Sequence, residues 1–481
     1  MTRSLALQAA VIVASTVIGA CSFEPHYERP AAPVDDRWSP PDLHAASELA
    51  TQADDIGWRA FFTDPAMQRM IEISLANNRD VRIAAINVAA ARAQYRIQFA
   101  ELFPAIDATA KQDVERVPAS QSIGGQTISR SYSVGVGFTS FELDFFGRIR
   151  SLDDQKLQQY LGTVETRRSA VITLISEVAN AWLTVLADQE LLRITQVTLD
   201  SQNASYGLTR LRYDGDQATA LDLRQAEITV RTAQANLAFY QRQIGQDRNA
   251  LVLLLGTPIP GDLPTGDIDG QQLLEDLPAG LPSELLARRP DVLAAEHNLM
   301  AASANIGAAR AAFFPSITLT GAFGTSSTGL TGLFINGSSY WSFLPQISLP
   351  IFAGGANVAG LEYAKEERNL YVATYEKTIQ TAFQEVSNAL LSRDTLLDQL
   401  KAQVALEAAS REAYRLSDMR FQGGIDDYLT VLDSQRTLYS AEQGLVTVKL
   451  SRLQNLVTLY KALGGGWNER TVTAAQPTTL P

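Results

Sequence analysis

The sequence is poor in the side chains on which most enzymes depend. Among 481 residues there is one cysteine, Cys21, and there are three histidines, His26, His44 and His297. A lone thiol excludes intrachain disulfides, and the histidines are too scattered for a metal-ligand spacing. No P-loop, GxGxxG or HExxH stretch occurs, so the chain is expected to be neither an enzyme nor a metal protein. Carboxylate pairs exist (Asp35-Asp36, Asp54-Asp55, Glu366-Glu367), but they read as solvated charges, and His297 as a surface or barrel histidine in a helical stretch. Positive charge is scarce as well: the net charge is −12 and no Lys/Arg cluster appears, which argues against nucleic acid as a partner. Hydrophobic residues make up 46% of the chain, yet beyond residue 20 no uninterrupted apolar run approaches the ~18 residues of a membrane helix. Such a chain is either soluble or crosses a membrane as strands.

What is present begins at the N-terminus. Arg3 precedes the apolar stretch LALQAAVIVASTVIGA, and Cys21 follows it. Residues 1–20 therefore read as a signal peptide. Ile18-Gly19-Ala20 before the cysteine matches the bacterial lipobox; the alternative is a plain signal peptide followed by a buried cysteine. On the lipobox reading Cys21 is the first mature residue and carries covalent diacylglycerol and an N-acyl chain, with no other cofactor. Ser22, rather than aspartate, favours sorting to the outer membrane. The expected location is the bacterial outer membrane, lipid-anchored, with the chain extending into the periplasm. Residues 21–64 then form a lipidated N-terminal strap.

The rest of the chain is written twice. Asp80 precedes Pro104 by the interval that separates Asp291 from Pro315, and RDVRIAAI aligns with RPDVLAAE, LFPAI with FFPSI. In the same order ELDFF (142–146) matches SLPIF (348–352), RYDGDQATALDLRQAE (212–227) matches RFQGGIDDYLTVLDSQ (420–435), and LLLG matches KALG. The offsets are nearly constant, so the chain is a tandem duplication of a unit of about 208 residues. The first repeat spans 65–256 and the second 284–464, with a linker at 257–283 and a tail at 465–481.

Each repeat has the same order of elements. A helical segment (about 65–103; about 284–313) runs without a loop into a hairpin, 104–143 in the first repeat and 315–351 in the second. In SYSVGVGFT, Tyr132, Val134, Val136 and Phe138 share one face, and Ser131, Ser133, Gly135 and Gly137 the other. In YWSFLPQISLPI, Trp341, Phe343, Ile347, Leu349 and Ile351 repeat the apolar face. Apolar-out, small-or-polar-in alternation fits a transmembrane barrel strand, a soluble sandwich hairpin being the alternative. After each hairpin the period changes. Leu157, Leu161, Val164, Val171, Ile175, Val178, Trp182, Val185 and Leu192 step by heptads, broken at Arg168 and Gln189, and Ile379, Phe383, Val386, Leu390, Leu397, Leu400 and Val404 do likewise. These patterns predict long coiled-coil-like helices over 147–255 and 355–463, turning back at YDGDQ and FQGGI. A continuous helix from Gly147 to Thr209 would reach about 95 Å. Pro104 and Pro315 end the helical hydrogen bonding where such an element passes from periplasm to bilayer, and Phe103, Phe313 and Phe314 suit that boundary.

Two repeats supply four strands, too few to close a barrel. An open sheet edge in lipid leaves backbone groups unpaired at several kcal/mol each, so the sequence demands several copies. The layout resembles the TolC-like outer membrane factor family, in its outer membrane efflux lipoprotein branch. The stretches that carry the likeness are CSFEPHYERPAAPV, WRAFFTDPAMQRMIEISLANNRDVRIAAINVAAARA, FELDFFGRIR and RFQGGIDDYLTVLDSQRTLYSAEQ, and with the repeat it covers residues 21–465. Glu24 and His26 depart from the family's GPDY-like segment. The resemblance implies a mixed membrane protein, a homotrimer whose hairpins make a 12-stranded transmembrane β-barrel and whose helices make a periplasmic α-barrel. It also implies a periplasmic adaptor and an inner-membrane, proton-driven RND-type transporter as partners, this chain being the passive exit duct for small molecules in multidrug efflux.

By the same resemblance Leu429 and Asp433, four apart and so on one helical face, narrow the periplasmic aperture. Asp222 resembles a tether between neighbouring helices in the closed state, Arg436 is a candidate partner, and Asp426 stands where some relatives carry a basic tether. Tyr213, Asp214 and Gly215 in one turn, and Phe421, Gln422, Gly423 and Gly424 in the other, are the implied adaptor-docking tips. The bland alternative is solvated charge beside helix turns. Metal-ion or protein (type I) export, a lipid-anchored periplasmic coiled-coil scaffold and an outer-membrane enzyme remain as rival readings at this point.

Overall fold

The computed structural model describes residues 23–35, 38, 53–116, 118, 120, 128–262, 266–274, 277 and 288–471. Cys21 and the signal segment lie outside them, as do Ser22 and His44, and the linker and tail are described only in part. Helices and strands alternate in the expected order: α1 (Pro65–Asn77), α2 (Arg79–Ala100), β1 (Asp107–Arg116), β2 (Ile128–Leu143), α3 (Arg148–Asp214), α4 (Ala220–Leu255), α5 (Pro290–Ala311), β3 (Ser316–Ser327), β4 (Ser339–Ser348), α6 (Ala356–Gln422) and α7 (Tyr428–Ala462). The helical segment expected over 65–103 is two helices. Asn78 interrupts it: its Oδ1 accepts from the Asp80 and Val81 amides, capping α2, while its Nδ2 donates to the Leu254 carbonyl. An Asn that caps one helix and stitches to another reads, from sequence alone, as an interior residue.

The chain divides into two compact units that cut across the repeats. One holds residues up to Ala31, Asn87–Val164 and Ala294–Glu376; the other holds Ala32–Ile86, Glu165–Leu293 and the chain from Lys377. The cause is helix length. Both α3 and α6 have 67 residues, about 100 Å of rise each, and so each contributes to both units.

In the first unit the four strands form one antiparallel sheet in the order β1-β2-β3-β4. The register sets Ala108, Val136, Phe323 and Trp341 in one row across the sheet, and Thr109, Gly135, Gly324 and Tyr340 in the next. Successive rows face opposite sides, which separates an apolar face from one of serine, threonine and glycine. The apolar face is bare: Trp341 is 76%, Ile347 69% and Phe323 63% exposed. On the other face Tyr340 lies across glycine. A Cβ on Gly135 would stand 3.3 Å from the Tyr340 hydroxyl and 2.8 Å from the Phe323 carbonyl, so the strands approach there only because the side chain is absent. A bulge between Phe138 and Phe141 puts Ser140 at φ +55°, and its amide is satisfied by Thr320 Oγ1 at 3.1 Å.

The second unit is held by a contiguous apolar core that includes Trp58, Phe61, Phe62, Met67, Met70, Ile71, Val178, Leu183, Leu251, Leu255, Val457 and Tyr460. Phe61 stacks on Tyr460 at 4.0 Å, and the Tyr460 hydroxyl donates to the Ile56 carbonyl. The stretch WRAFFTDPAMQRMIEISLANN therefore earns its composition as core, with Asp64 capping α1 through the Ala66 amide. One stretch of α3 is apolar enough by composition to cross a membrane, but most of it is buried; its heptad residues Ile175, Val178 and Val185 are core. Arg168, which breaks that seam, sits over the Trp467 ring and pairs with Glu165. Leu397 and Val404, late in the second seam, remain exposed in a single copy.

Candidate functional site

The two helix turns in the second unit are built alike. In the first, Gly215 N donates to Leu211 O, Asp216 N to Tyr213 O and Gln217 N to Arg212 O; in the second, Gly423 N donates to Met419 O, Gly424 N to Phe421 O and Ile425 N to Arg420 O. The left-handed position is Asp216 (φ +56°) in one and Gly424 (φ +69°) in the other. Glycine takes that conformation without strain, and aspartate is among the few residues that tolerate it. The returning helices start with the same pair of residue types in reverse order. Thr219 caps α4 and bonds Asp222, whose Oδ2 accepts from the Thr219 amide at 2.8 Å and hydroxyl at 2.7 Å; Asp427 caps α7 and accepts from the Thr430 amide at 3.0 Å and hydroxyl at 2.8 Å.

This geometry sorts the residues selected from sequence. Asp222 is engaged in the cap of its own helix. Asp426 is held by a two-pronged ion pair from Arg420, at 2.6 and 2.8 Å, and these hydrogen bonds keep its carboxyl below the usual range. Leu429 and Asp433 share an exposed face of α7, Leu429 being 54% exposed. Among the described residues neither the Asp433 carboxylate nor the nearby exposed Arg436 has a side-chain partner. The opposite face of α7 is packed: Tyr428, Val431 and Leu432 cluster with Ala226, against Tyr206, Tyr414 and Phe421. Burial raises the Tyr428 hydroxyl pKa. Phe421 is thus partly core, with Arg212 over its ring at 4.5 Å. Tyr213, Asp214, Gly215, Gln422, Gly423 and Gly424 are exposed at the turn surfaces.

The first unit presents a second candidate region, where helix meets strand. The stretch FELDFFGRIR makes the corner from β2 to α3 with two ion pairs six residues apart: Arg148 grips both oxygens of Glu142 at 2.9 and 2.7 Å, and Arg150 reaches Asp144 at 3.1 Å. The matching corner after β4 has no charge and instead uses Asn357, which donates to the Ala312 carbonyl. Beside it Phe23 stacks on Phe314 at 4.4 Å, and Phe314 on Phe146 at 5.0 Å. The N-terminal segment is laid along α5 by Arg310, which donates to the Phe23 carbonyl, and by Glu296, which accepts from Arg29 at 2.7 and 2.8 Å and from Tyr27 at 2.9 Å. Sequence reasoning missed Arg29, Glu296, Arg148, Arg150 and Arg420. The corner pairs and Arg420–Asp426 share an i, i+6 spacing that the sequence displays, whereas Arg29 and Glu296 are far apart along the chain.

A four-stranded sheet with one bare apolar face, joined to 67-residue helices that end in paired turns, defines a membrane-embedded channel subunit. Comparison with known proteins agrees. The outer membrane efflux protein family matches residues 70–257 and 281–465, and the chain belongs to that family. It is 49% identical over 483 residues to the toluene efflux pump outer membrane protein TtgC of Pseudomonas putida, covering 100% of this chain and 99% of that one. Against the outer membrane protein OprJ of Pseudomonas aeruginosa the identity is 44% over 469 residues, covering 97% of each. The open-state outer membrane channel MtrE of Neisseria gonorrhoeae superposes with a TM-score of 0.87 at 40% identity, covering 94% of this chain and 100% of that one. The protein is accordingly an outer-membrane efflux channel component, and the scaffold reading is set aside.

Proposed function

We propose that three copies of this chain assemble into a passive exit duct that carries small toxic molecules, organic solvents and antibiotics among them, across the outer membrane. The observation that carries the proposal is the open sheet. The outer edges of β1 and β4 have no strand partner among the described residues, and in lipid such edges are tolerated only when closed. Three copies supply twelve strands, and the serine- and glycine-rich face would then line an aqueous bore. The substrate class follows the relatives, which include toluene, solvent and antibiotic efflux components.

The duct does its work by conduction. A periplasmic adaptor docks at the two turns, Tyr213 to Gly215 and Phe421 to Gly424, and a proton-driven RND-type pump supplies the energy. Leu429 and Asp433 line the aperture, where three exposed carboxylates around one axis repel one another and attract cations. Asp222, Asp426 and Arg436 act around it once copies meet, and Cys21 bears the lipid. The test is single-channel conductance together with gel migration before and after heating. Expected are a conducting, heat-dissociable oligomer and, on deletion in the host, sensitivity to solvents and antibiotics. A stable non-conducting monomer would end the proposal.

A further inference from the structure

We propose that the loop between β3 and β4 is a lipid-binding surface that dips into the outer leaflet of the membrane around the barrel. From Ala311 to Leu361 the sequence contains no charged residue, so the second hairpin, unlike the first, carries no charge to draw it into water. Within the loop Leu330 is 67%, Phe334 76% and Ile335 63% exposed, while Leu333 is buried at 3%. These exposures match those of Trp341 and Phe323 on the bare sheet face, at 76% and 63%. The loop is also built rather than slack. Gly332 N donates to Gly329 O, Ser338 N to Ile335 O, and Ser326 N to Ser338 O at 2.8 Å, while the Ser338 hydroxyl closes back on Ile335 O. Its own hydrogen bonds therefore hold the apolar side chains outward.

The chemistry of the two sheet faces selects the occupant. On the polar face the row nearest the loop is Lys111, Ser133 and Ser326, followed on β1 and β2 by Asp113 and Ser131. An apolar lid folded over that side would meet hydroxyls and charge. On the other face the row nearest the loop is Ala110, Val134, Thr325 and Ser339, and the next is Val136, Phe323 and Trp341, which faces hydrocarbon in an outer-membrane protein; β3 and β4 carry no charge on this side. Acyl chains match the loop where the bore does not.

The test is photocrosslinking in vesicles of phosphatidylethanolamine and phosphatidylglycerol, with Phe334→benzoylphenylalanine as the probe and Trp341→benzoylphenylalanine as the sheet reference, read by mass spectrometry. Expected are phospholipid adducts at both positions. Lipid at 341 with only polypeptide adducts, or none, at 334 would overturn the proposal and indicate a lid or a contact between copies. Loss of lipid adducts at both would overturn it together with the outward assignment of the sheet face. A second measurement uses the Phe334→Asn, Ile335→Asn double variant, for which unchanged conductance is expected; a rise in conductance identifies a lid and refutes the lipid assignment.

Discussion

At the scale of single residues, the useful distinction is between carboxylates that are spent within the chain and those that are not. Asp222 and Asp426 have local partners at 2.6 to 2.8 Å, whereas Asp433 has none among the described residues. Replacing Asp433 by alanine should therefore change conductance and cation preference without lowering thermal stability, measured in planar bilayers and by melting of the same sample. A further carboxylate, unnoticed in the sequence, is Asp188. Burial, and then the hydrogen bond and charge of Asp247, push its carboxyl up to about 7. Its ordinary value is about 4, so between about pH 4 and 7 the folded chain holds a proton that the unfolded chain releases. This group's contribution to stability is present below that window and is lost as pH rises through it. The Asp188→Asn variant should flatten the fall in melting temperature across that window; an unchanged slope would remove the pair as its cause.

Elements in this protein are fixed at their ends more than along their lengths. Thr219 and Asp427 begin the two returning helices, and alanine at either should loosen its helix start, seen as faster amide exchange in the first turns of α4 and α7. The start of α5 is tied more strongly. Arg289, almost fully buried, pairs with Asp291 at 2.6 Å and Glu385 at 2.8 Å and donates to the Ala462 carbonyl at the end of α7. Burial disfavours the Asp291 charge, but the hydrogen bonds and charge of Arg289 outweigh it and lower its pKa. Arg289→Ala would remove that partner, and because Asp291 and Glu385 are both partly exposed the loss should stay below the ~3 kcal/mol of a broken buried pair, read as a drop in melting temperature. Helices, hairpins and turns were legible because their signals are periodic or local: heptads, alternation at 132–138 and 341–351, glycine at 423–424. The break at Asn78 was not, since its reason is a carbonyl at Leu254, distant in sequence. Nor was the grip of Glu296 on Arg29, which depends on burial that no spacing reveals.

For the molecule as a whole, the duplication was legible and the compact units were not. Repeats are visible by matching residues along the chain, whereas the units arise because α2, α3, α5 and α6 each pass from one to the other. The open edges of β1 and β4 remain the feature that only more copies can answer. A pairing test follows: proline placed on edge strand β1 at a residue whose amide points away from β2 should weaken oligomers by removing an edge donor, visible as dissociation at lower temperature on gels.

The shared helices also set rules for recombination. The chain crosses between units five times, after Ala31, Ile86, Val164, Leu293 and Glu376, so neither unit can be transplanted as a single cassette. Hybrids between relatives should remain viable when spliced within 257–283, where one repeat ends and the next begins. Those joined midway through α3 or α6 would inherit mismatched halves of a continuous rod.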